Sequence, residues 1–197
     1  MGVLYHYSSL VHLPPIIRDG LSEGEVSVPN PRGRTTAVSL TSQTDYERLF
    51  LWGKPERDPH KTAVRYACHL EDGDDKQEPA RSAWRQLNVP PKYLKQRLDP
   101  LGQAKWWYFY HGVIPPGQFT VEFWGRRGYV PVPPGALSRI AAEVELARGF
   151  FEFFVQPGKP LDLFMKLKNP ADTAPLWLME EAFPADRFLS DSSTQTD

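Results

Sequence analysis

The sequence predicts an α+β fold in which short strands and short helices are joined by stiff turns. The chain has 197 residues, of which 41% are hydrophobic and 24% charged, and this balance suits one sizeable core. Twenty prolines are about twice the usual share. They argue against a helical bundle, because proline ends or kinks helices. We see no internal repeat and no domain boundary, and we therefore expect a single domain over residues 1–188, followed by a polar, disordered tail.

Composition excludes several classes of protein. Lys and Arg number 23 against 24 Asp and Glu, a net charge of −1, which is unlike a polybasic nucleic-acid or membrane binder but compatible with a local basic patch. The single cysteine, Cys68, rules out an intramolecular disulfide and a Cys-rich zinc site. The sequence starts with no signal-peptide pattern, and no stretch approaches the ~18 apolar residues of a membrane span. We expect a cytoplasmic protein without membrane contact.

The N-terminal segment predicts a strand followed by a short helix. Residues 3–7 are rich in β-branched and aromatic side chains, which favour a strand. Apolar residues then recur at helical spacing over 10–17, and Gly20 stands where a helix commonly ends. Because Pro14 and Pro15 fall in its first turns, this helix is expected to be short and distorted. The polar loop over 22–36 is long enough to be functional.

Two further strands follow. Residues 37–41 predict a strand that leads into a short amphipathic helix containing Tyr46. Residues 62–70, TAVRYACHL, alternate so that Arg65 shares one face of the strand with neighbours two positions away. The acidic segment 71–78 predicts a solvated turn, because it lacks the spacing of a calcium-binding EF-hand loop.

The rest of the chain mixes helices with extended segments. Helical pieces are predicted from 79 to 98, and residues 106–124 predict a strand, a tight Pro-Pro-Gly turn and a second strand. The helix over 134–148 is the clearest of the chain. Two extended segments, 150–155 and 161–167, and a last helix, 176–183, complete the prediction. The apolar side of the helix over 134–148 is predicted to comprise Leu137, Ile140, Ala141, Val144 and Leu146.

Common catalytic motifs are missing from the sequence. No pair of histidines has the spacing of a zinc enzyme, and Cys68 and His69 point to opposite faces of their strand. Neither a nucleophile elbow nor a glycine-rich phosphate loop occurs. We therefore expect no metal site.

A looser pattern does point to chemistry. His6 stands between two tyrosines in LYHYSS, and the second strand ends in SLTS before the helix with Tyr46. A later strand carries a single acid, Glu122, within FTVEFW. An acid in the middle of a strand opposes strand propensity, so it marks either an exposed sheet face or a site.

This arrangement resembles the ADP-ribosyltransferase superfamily, in which a His, a Tyr or hydroxyl residue, and a Glu on successive strands line one NAD cleft. The phrases that carry the resemblance are LYHYSSLVHLPPIIRDGL at 4–21, AVSLTS at 37–42 and WYFYHGVIPPGQFTVEFW at 107–124. It covers roughly residues 1–135, which leaves 136–188 as a C-terminal extension. The resemblance implies a split, mostly antiparallel sheet with short helices.

The resemblance also implies roles for individual residues. Breaking the bond between nicotinamide and ribose develops positive charge on the sugar, which the Glu122 carboxylate would stabilise. NAD is then a consumed substrate, and no resident cofactor is implied. The residues expected to bind it are His6 at a ribose hydroxyl, Tyr46 or Tyr7 against the nicotinamide ring, Thr41 and Ser42 at the amide or a ribose, and Arg18 and Arg34 at the pyrophosphate.

Other interpretations of the same residues stay open. His6 also fits a core histidine that is hydrogen-bonded to the backbone. Glu122 also fits the solvent-exposed face of a strand, and Tyr46 also fits the buried apolar face of its helix. Thr120 stands where many protein-modifying members of the superfamily carry an acid or Gln, which leaves the acceptor open between protein, nucleic acid and water.

Two rival functions remain beside the first. One is a non-catalytic binding protein that holds a protein or nucleic-acid partner in the same cleft or on the aromatic strand 106–110. The other is a related NAD-consuming toxin that uses Arg34 and Ser39 in place of His and Tyr.

Overall fold

An antiparallel sheet forms the centre of the fold. The computed structural model describes residues 2–22, 37–44, 62–71, 73–155, 163–169, 177–180 and 183–189. The strands of the main sheet are β1 (Leu4–Ser8), β2 (Val38–Thr41), β3 (Val64–Cys68), β4 (Gln77–Pro79), β5 (Trp107–Tyr110), β6 (Phe119–Gly125) and β7 (Gly128–Pro131). Their order is β4-β5-β2-β1-β3-β6-β7, and every pairing is antiparallel. The predicted α+β class with a mostly antiparallel sheet is confirmed.

The main sheet divides between β1 and β2. Along β1 and β3 five residue pairs are in register, and along β2 and β5 there are four. By contrast, β1 and β2 share a single pair, Tyr5 with Thr41. The sheet therefore consists of two halves, β4-β5-β2 and β1-β3-β6-β7, which are joined at one end of β1.

Helices cover one face of the sheet. These are α1 (Leu13–Asp19), which follows a 3-10 turn at Leu10–His12, α4 (Pro134–Arg148) and α6 (Pro184–Leu189). Alternation along β6 points Val121 and Phe123 to this face, and both are buried in the main core. We call this side of the sheet the helix-covered face.

A smaller layer covers part of the other side, which we call the opposite face. It consists of α2 (Ala80–Gln86) and α3 (Pro91–Tyr93), which continues as a π-helical turn over Leu94–Leu98. Ala83 and Trp84 pack there against Phe109 of β5. Tyr7, Arg65 and Glu122 share the opposite face, but they lie on the other half of the sheet.

The helix over 134–148 is confirmed, but one residue of its predicted apolar side is wrong. Ile140, Val144 and Ala147 are buried, whereas Leu146 is 75% exposed. The buried residues recur at i, i+4 and i+7 and so form one stripe, and Leu146 lies outside it.

The predicted Pro-Pro-Gly turn is present as a 3-10 turn over Pro116–Gln118, in which the Gln118 amide donates to the Pro115 carbonyl at 2.9 Å, but the two strands around it do not pair with each other. Both strands exist, but β5 pairs with β2 and β4, whereas β6 pairs with β3 and β7. The segment between them crosses from one half of the sheet to the other. On the way, Ile114 exchanges two backbone hydrogen bonds of 2.9 Å with Leu21. Gly20 is required beside this bridge, because its φ is +91° and a Cβ would lie 2.5 Å from the Ile114 carbonyl oxygen.

The C-terminal extension is mixed in structure. Strands β8 (Phe151–Val155) and β9 (Leu163–Leu167) form a separate antiparallel pair, as the extended segments predicted. Helix α5 (Trp177–Glu180) lies within the last predicted helix, and α6 begins after residue 183, where no helix was predicted. The tail after residue 189 and loop residues 23–36 lie outside the described residues. Within the described part of the chain, no helix is long and apolar enough to cross a membrane.

Candidate functional site

An ion pair lies at the centre of the opposite face. The Nε of Arg65 donates to Oε2 of Glu122 at 2.5 Å, and Nη1 donates to the Thr44 carbonyl at 2.7 Å. The two charged side chains are only 11% and 14% exposed. Register places Arg65 opposite Glu122 on one side and opposite Tyr7 on the other. Strand pairing thus joins two charges that are 57 residues apart in the sequence.

Two tyrosine rings hold the guanidinium of Arg65. Its Cζ lies 4.6 Å from the ring centroid of Tyr5 and 4.1 Å from that of Tyr129. The Tyr129 hydroxyl donates to the Thr62 carbonyl at 2.8 Å, which fixes that ring. Burial opposes the charge of Arg65, but hydrogen bonds and charge from Glu122 and Tyr7 outweigh it and raise its pKa. We call Tyr5, Tyr7, Arg65, Glu122 and Tyr129 the Arg65 cluster.

The end of β2 is anchored to this cluster. The Tyr7 hydroxyl donates to the Gln43 carbonyl at 2.9 Å, next to the Thr44 carbonyl that binds Arg65. The Gln43 amide donates to Oγ1 of Thr41 at 3.2 Å, and Thr41 is fully buried. Ser42 is exposed, and its amide donates to the Trp106 carbonyl at 2.9 Å. Segment 41–44 therefore connects the Arg65 cluster with the layer that precedes β5.

His6 lies at the split between the two halves of the sheet. Its Nδ1 donates to the Ser39 carbonyl across the gap at 2.9 Å, and its ring centroid is 6.0 Å from that of Tyr66. Burial lowers the pKa of His6, and the hydrogen bond to Ser39 offsets part of that effect. The neutral ring that carries its proton on Nδ1 leaves Nε2 as a hydrogen-bond acceptor.

On the helix-covered face, the side chains beside His6 are fully buried. Tyr66 is fully buried, and its hydroxyl has no hydrogen-bond partner among the described residues. Burial raises its pKa far above the usual range. Cys68, also fully buried, has its pKa raised to about 12 for the same reason. Its thiol therefore stays protonated at neutral pH and is not a nucleophile.

The structure brings some of the predicted site residues together and separates others. Glu122 and Tyr7 share the Arg65 cluster, and Thr41 and Ser42 lie at its edge. His6 and Glu122 do not face one cleft as predicted. Alternation along β1 turns His6 away from the face that carries Tyr7, which leaves it in the split.

Of the remaining predicted NAD-binding residues, Arg18 is the one that the structure describes, and it is not part of the Arg65 cluster. Arg18 is exposed at the end of α1 on the helix-covered side, where it pairs with Asp19 at 2.7 Å. Tyr46 and Arg34 lie outside the described residues.

The sequence interpretation missed Arg65. A signal for it exists, since Arg65 is the only formal charge in TAVRYACHL and Glu122 the only one in FTVEFW. Opposite charges in the middle of two apolar strands favour a cross-strand pair. Tyr5 and Tyr129 carried no comparable signal, because aromatic residues are common in any strand.

Neither similarity to known proteins nor a metal-binding group indicates the function of the chain. Comparison of the chain with protein-family models, with curated proteins and with solved structures finds no match. In the described ranges no group of three or more His, Cys, Asp or Glu is arranged to hold a metal ion. His6 and the Arg65 cluster are therefore the features of the structure that bear on function.

Proposed function

We propose that this chain is an NAD-consuming ADP-ribosyltransferase that transfers ADP-ribose to a macromolecule or to water. The observation that carries the proposal is the placement of His6. Its Nδ1 is held by the Ser39 carbonyl in the split of an antiparallel sheet, so Nε2 can accept a hydrogen bond. The resemblance to the superfamily gives the histidine of the first strand the role of binding a ribose hydroxyl.

Glu122 is the proposed catalytic carboxylate. Oε2 is bonded to Arg65, and among the described residues Oε1 has no hydrogen-bond partner. Strands lie ~4.8 Å apart, so β1 and β6 are separated by about 10 Å. His6 and Glu122 point to opposite faces of the sheet, so a dinucleotide that contacts both has to pass through the split between β1 and β2. During the reaction the C–N bond to nicotinamide breaks, and its electron pair leaves with nicotinamide. The acceptor atom then bonds to the same ribose carbon and loses a proton, while the carboxylate stabilises the positive sugar.

The ion pair also supports a second candidate. The charge of Arg65 offsets part of the negative charge that Glu122 offers to a cationic sugar. A catalytic carboxylate must keep its negative charge available to the sugar, whereas a protein that only binds a partner at this site does not require this. The rival is therefore a non-catalytic binding protein that uses the same site.

Release of nicotinamide from NAD tests the proposal, with His6→Asn as the main variant. The amide of asparagine retains a donor close to the position of Nδ1 but has no counterpart of Nε2. We expect the wild type to release nicotinamide when supplied with NAD and cell extract. In His6→Asn this rate should be at least tenfold lower, with an unchanged far-UV circular dichroism spectrum. His111→Asn, a change in a half-buried histidine that contacts Glu78 outside the site, serves as the matched control and should release nicotinamide at the wild-type rate.

Thermal shift with NAD separates the two candidates. A ligand at a hundred times its Kd stabilises the native state by about 2.7 kcal/mol and must raise Tm. A raised Tm without nicotinamide release favours the binding protein. A wild type that shows neither nicotinamide release nor a shift contradicts the transferase proposal and removes NAD as a ligand.

A further inference from the structure

Positive charge is concentrated in one stretch of the chain. Residues 80–106 contain six Lys and Arg, one Asp and no other acidic residue or His, a net charge of +5. Because the whole chain has a net charge of −1, the remaining residues together carry −6. The near-neutral total therefore hides a strongly basic segment, which is the electrostatic feature expected of a polyanion-binding surface.

Among the described residues, most cations of this segment have no carboxylate partner, whereas most cations elsewhere have one. Within that part of the chain, Arg81 alone of the segment's cations lies within 4 Å of a carboxylate, at 3.9 Å from Asp99. Among the described Lys and Arg outside the segment, six of ten pair with an acid. Unpaired cations on one surface favour binding of an external anion. The five cations of the segment whose side chains are described are all exposed, and we call them the basic layer: Arg81, Arg85, Lys92, Lys95 and Lys105.

Aromatic side chains accompany the basic layer. Tyr93 lies between Lys92 and Lys95 in the sequence and is 36% exposed. The ammonium of Lys105 lies 4.8 Å from the ring centroid of half-buried Trp106. Exposed rings among cations suit single-stranded nucleic acid, whose bases stack on aromatic faces while its phosphates meet Lys and Arg. An acidic peptide would use the cations but not the rings.

The basic layer adjoins the candidate site. The carbonyl of Trp106 accepts a hydrogen bond from the amide of Ser42. The two residues after Ser42 bind the Arg65 cluster, because the Gln43 carbonyl accepts from Tyr7 and the Thr44 carbonyl accepts from Arg65. The segment is also held on the sheet, because Ala83 and Trp84 pack against Phe109. A strand of nucleic acid on the basic layer would thus pass beside the Arg65 cluster.

We propose that the basic layer is a docking surface for single-stranded nucleic acid. The role of the bound strand as the ADP-ribose acceptor rests on the proposed transferase function, whereas binding of the strand does not depend on that function. The observation behind the proposal is a set of exposed cations, four of which have no carboxylate partner among the described residues, together with the exposed ring of Tyr93 and the half-buried ring of Trp106.

Fluorescence anisotropy with a labelled 16-nucleotide single strand of mixed sequence tests the docking. The test variant is the triple change Arg85→Gln, Lys92→Gln and Lys95→Gln. The matched control is Arg127→Gln, Arg139→Gln and Lys168→Gln, which removes three exposed cations that also lack a carboxylate partner among the described residues. We expect the test variant to raise Kd at least tenfold at 50 mM salt, and the control to stay within threefold of the wild type.

Salt dependence and stacking give two further readouts. Each phosphate contact contributes about 0.7 to the slope of log K against log salt for a single strand. Loss of three contacts should therefore reduce that slope by roughly 2. Tyr93→Ala removes a stacking ring without a change of charge and should weaken binding about fivefold or more, with the slope unchanged.

Three results would overturn the proposal. The first is no binding of the single strand at 100 μM wild-type protein. The second is equal loss of affinity in the test and control triples. The third is equal or tighter binding of a duplex or of polyglutamate of the same length, either of which removes the single-stranded assignment.

The outcomes for docking and for catalysis are separable. Binding of the single strand without nicotinamide release supports the docking surface and contradicts the transferase. Nicotinamide release by a protein that does not bind the strand contradicts the docking surface alone.

Discussion

The two faces of β6 differ in how they are held, although their residues are neighbours in the sequence. On the helix-covered face Phe123 is fully buried, and its ring centroid is 5.9 Å from that of Phe188 on α6. On the opposite face Glu122 is bonded to Arg65, and Thr120 is exposed. Apolar burial therefore stabilises one side of the strand, whereas the other side holds charges that a ligand can use. Stability and candidate chemistry are thus divided between the two faces of one sheet.

The largest expected effect is on the helix-covered face. Phe123→Ala removes a fully buried ring and should lower the free energy of unfolding by about 3–5 kcal/mol, because both transfer and cavity terms are lost. Thr120→Ala, on the exposed side of the same strand, should stay within about 0.5 kcal/mol. Urea denaturation of both variants measures the difference. Equal losses would contradict the division between the faces.

The second effect is on the ion pair. Glu122→Gln leaves the buried charge of Arg65 without its carboxylate and should cost ~2–4 kcal/mol. The double variant Arg65→Met with Glu122→Gln should be more stable than the sum of its single changes, because no charge is then left unpaired. The double-mutant cycle in urea measures this coupling. Additive losses would show that the pair does not stabilise the opposite face.

A smaller effect is expected from pH. The pKa of folded His6 lies below the ordinary 6.5, so the unfolded chain binds a proton more readily than the folded chain. The contribution of His6 to stability is therefore full above about pH 6.5 and is lost as the pH falls from there to the folded pKa. His6→Asn should remove this part of the pH dependence. Urea midpoints of wild type and variant between pH 5 and 8 measure it, and parallel curves would contradict the burial of the neutral ring.

The smallest effect is one of reactivity without any change in stability. Because burial raises the pKa of Cys68 to about 12, its thiol should not react with a disulfide reagent at pH 8 while the protein is folded. Full reaction is expected only in urea. Rapid labelling of the native protein would show that the helix-covered face admits water beside Cys68.

Local features of the fold were predictable from the sequence. The alternation of residues 62–70 predicted β3 and placed Arg65 on the correct face with Ala67. Helix α4 begins at Pro134, because proline favours the first turn of a helix. Gly20 ended α1 as predicted. Each of these depends on residues that are close together in the chain.

Long-range features were not predictable in the same way. Both strands around the Pro-Pro-Gly segment were predicted, but their placement in different halves of the sheet was not. The same holds for His6, whose strand was predicted but whose place in the split depends on β2. A strand pattern specifies which residues share a face, but it does not specify the neighbouring strand.

Local sequence patterns were enough to predict the α+β class, most strands of the main sheet and α4, whereas the predicted site included Glu122 but not Arg65. Tertiary structure set the rest: strand pairing joins Arg65 to Glu122, the rings of Tyr5 and Tyr129 enclose the guanidinium of Arg65, and His6 is turned toward the split. The physical reason is that strand propensity, turn residues and helix periodicity act over a few residues, whereas strand order and register are set by burial of the whole sheet.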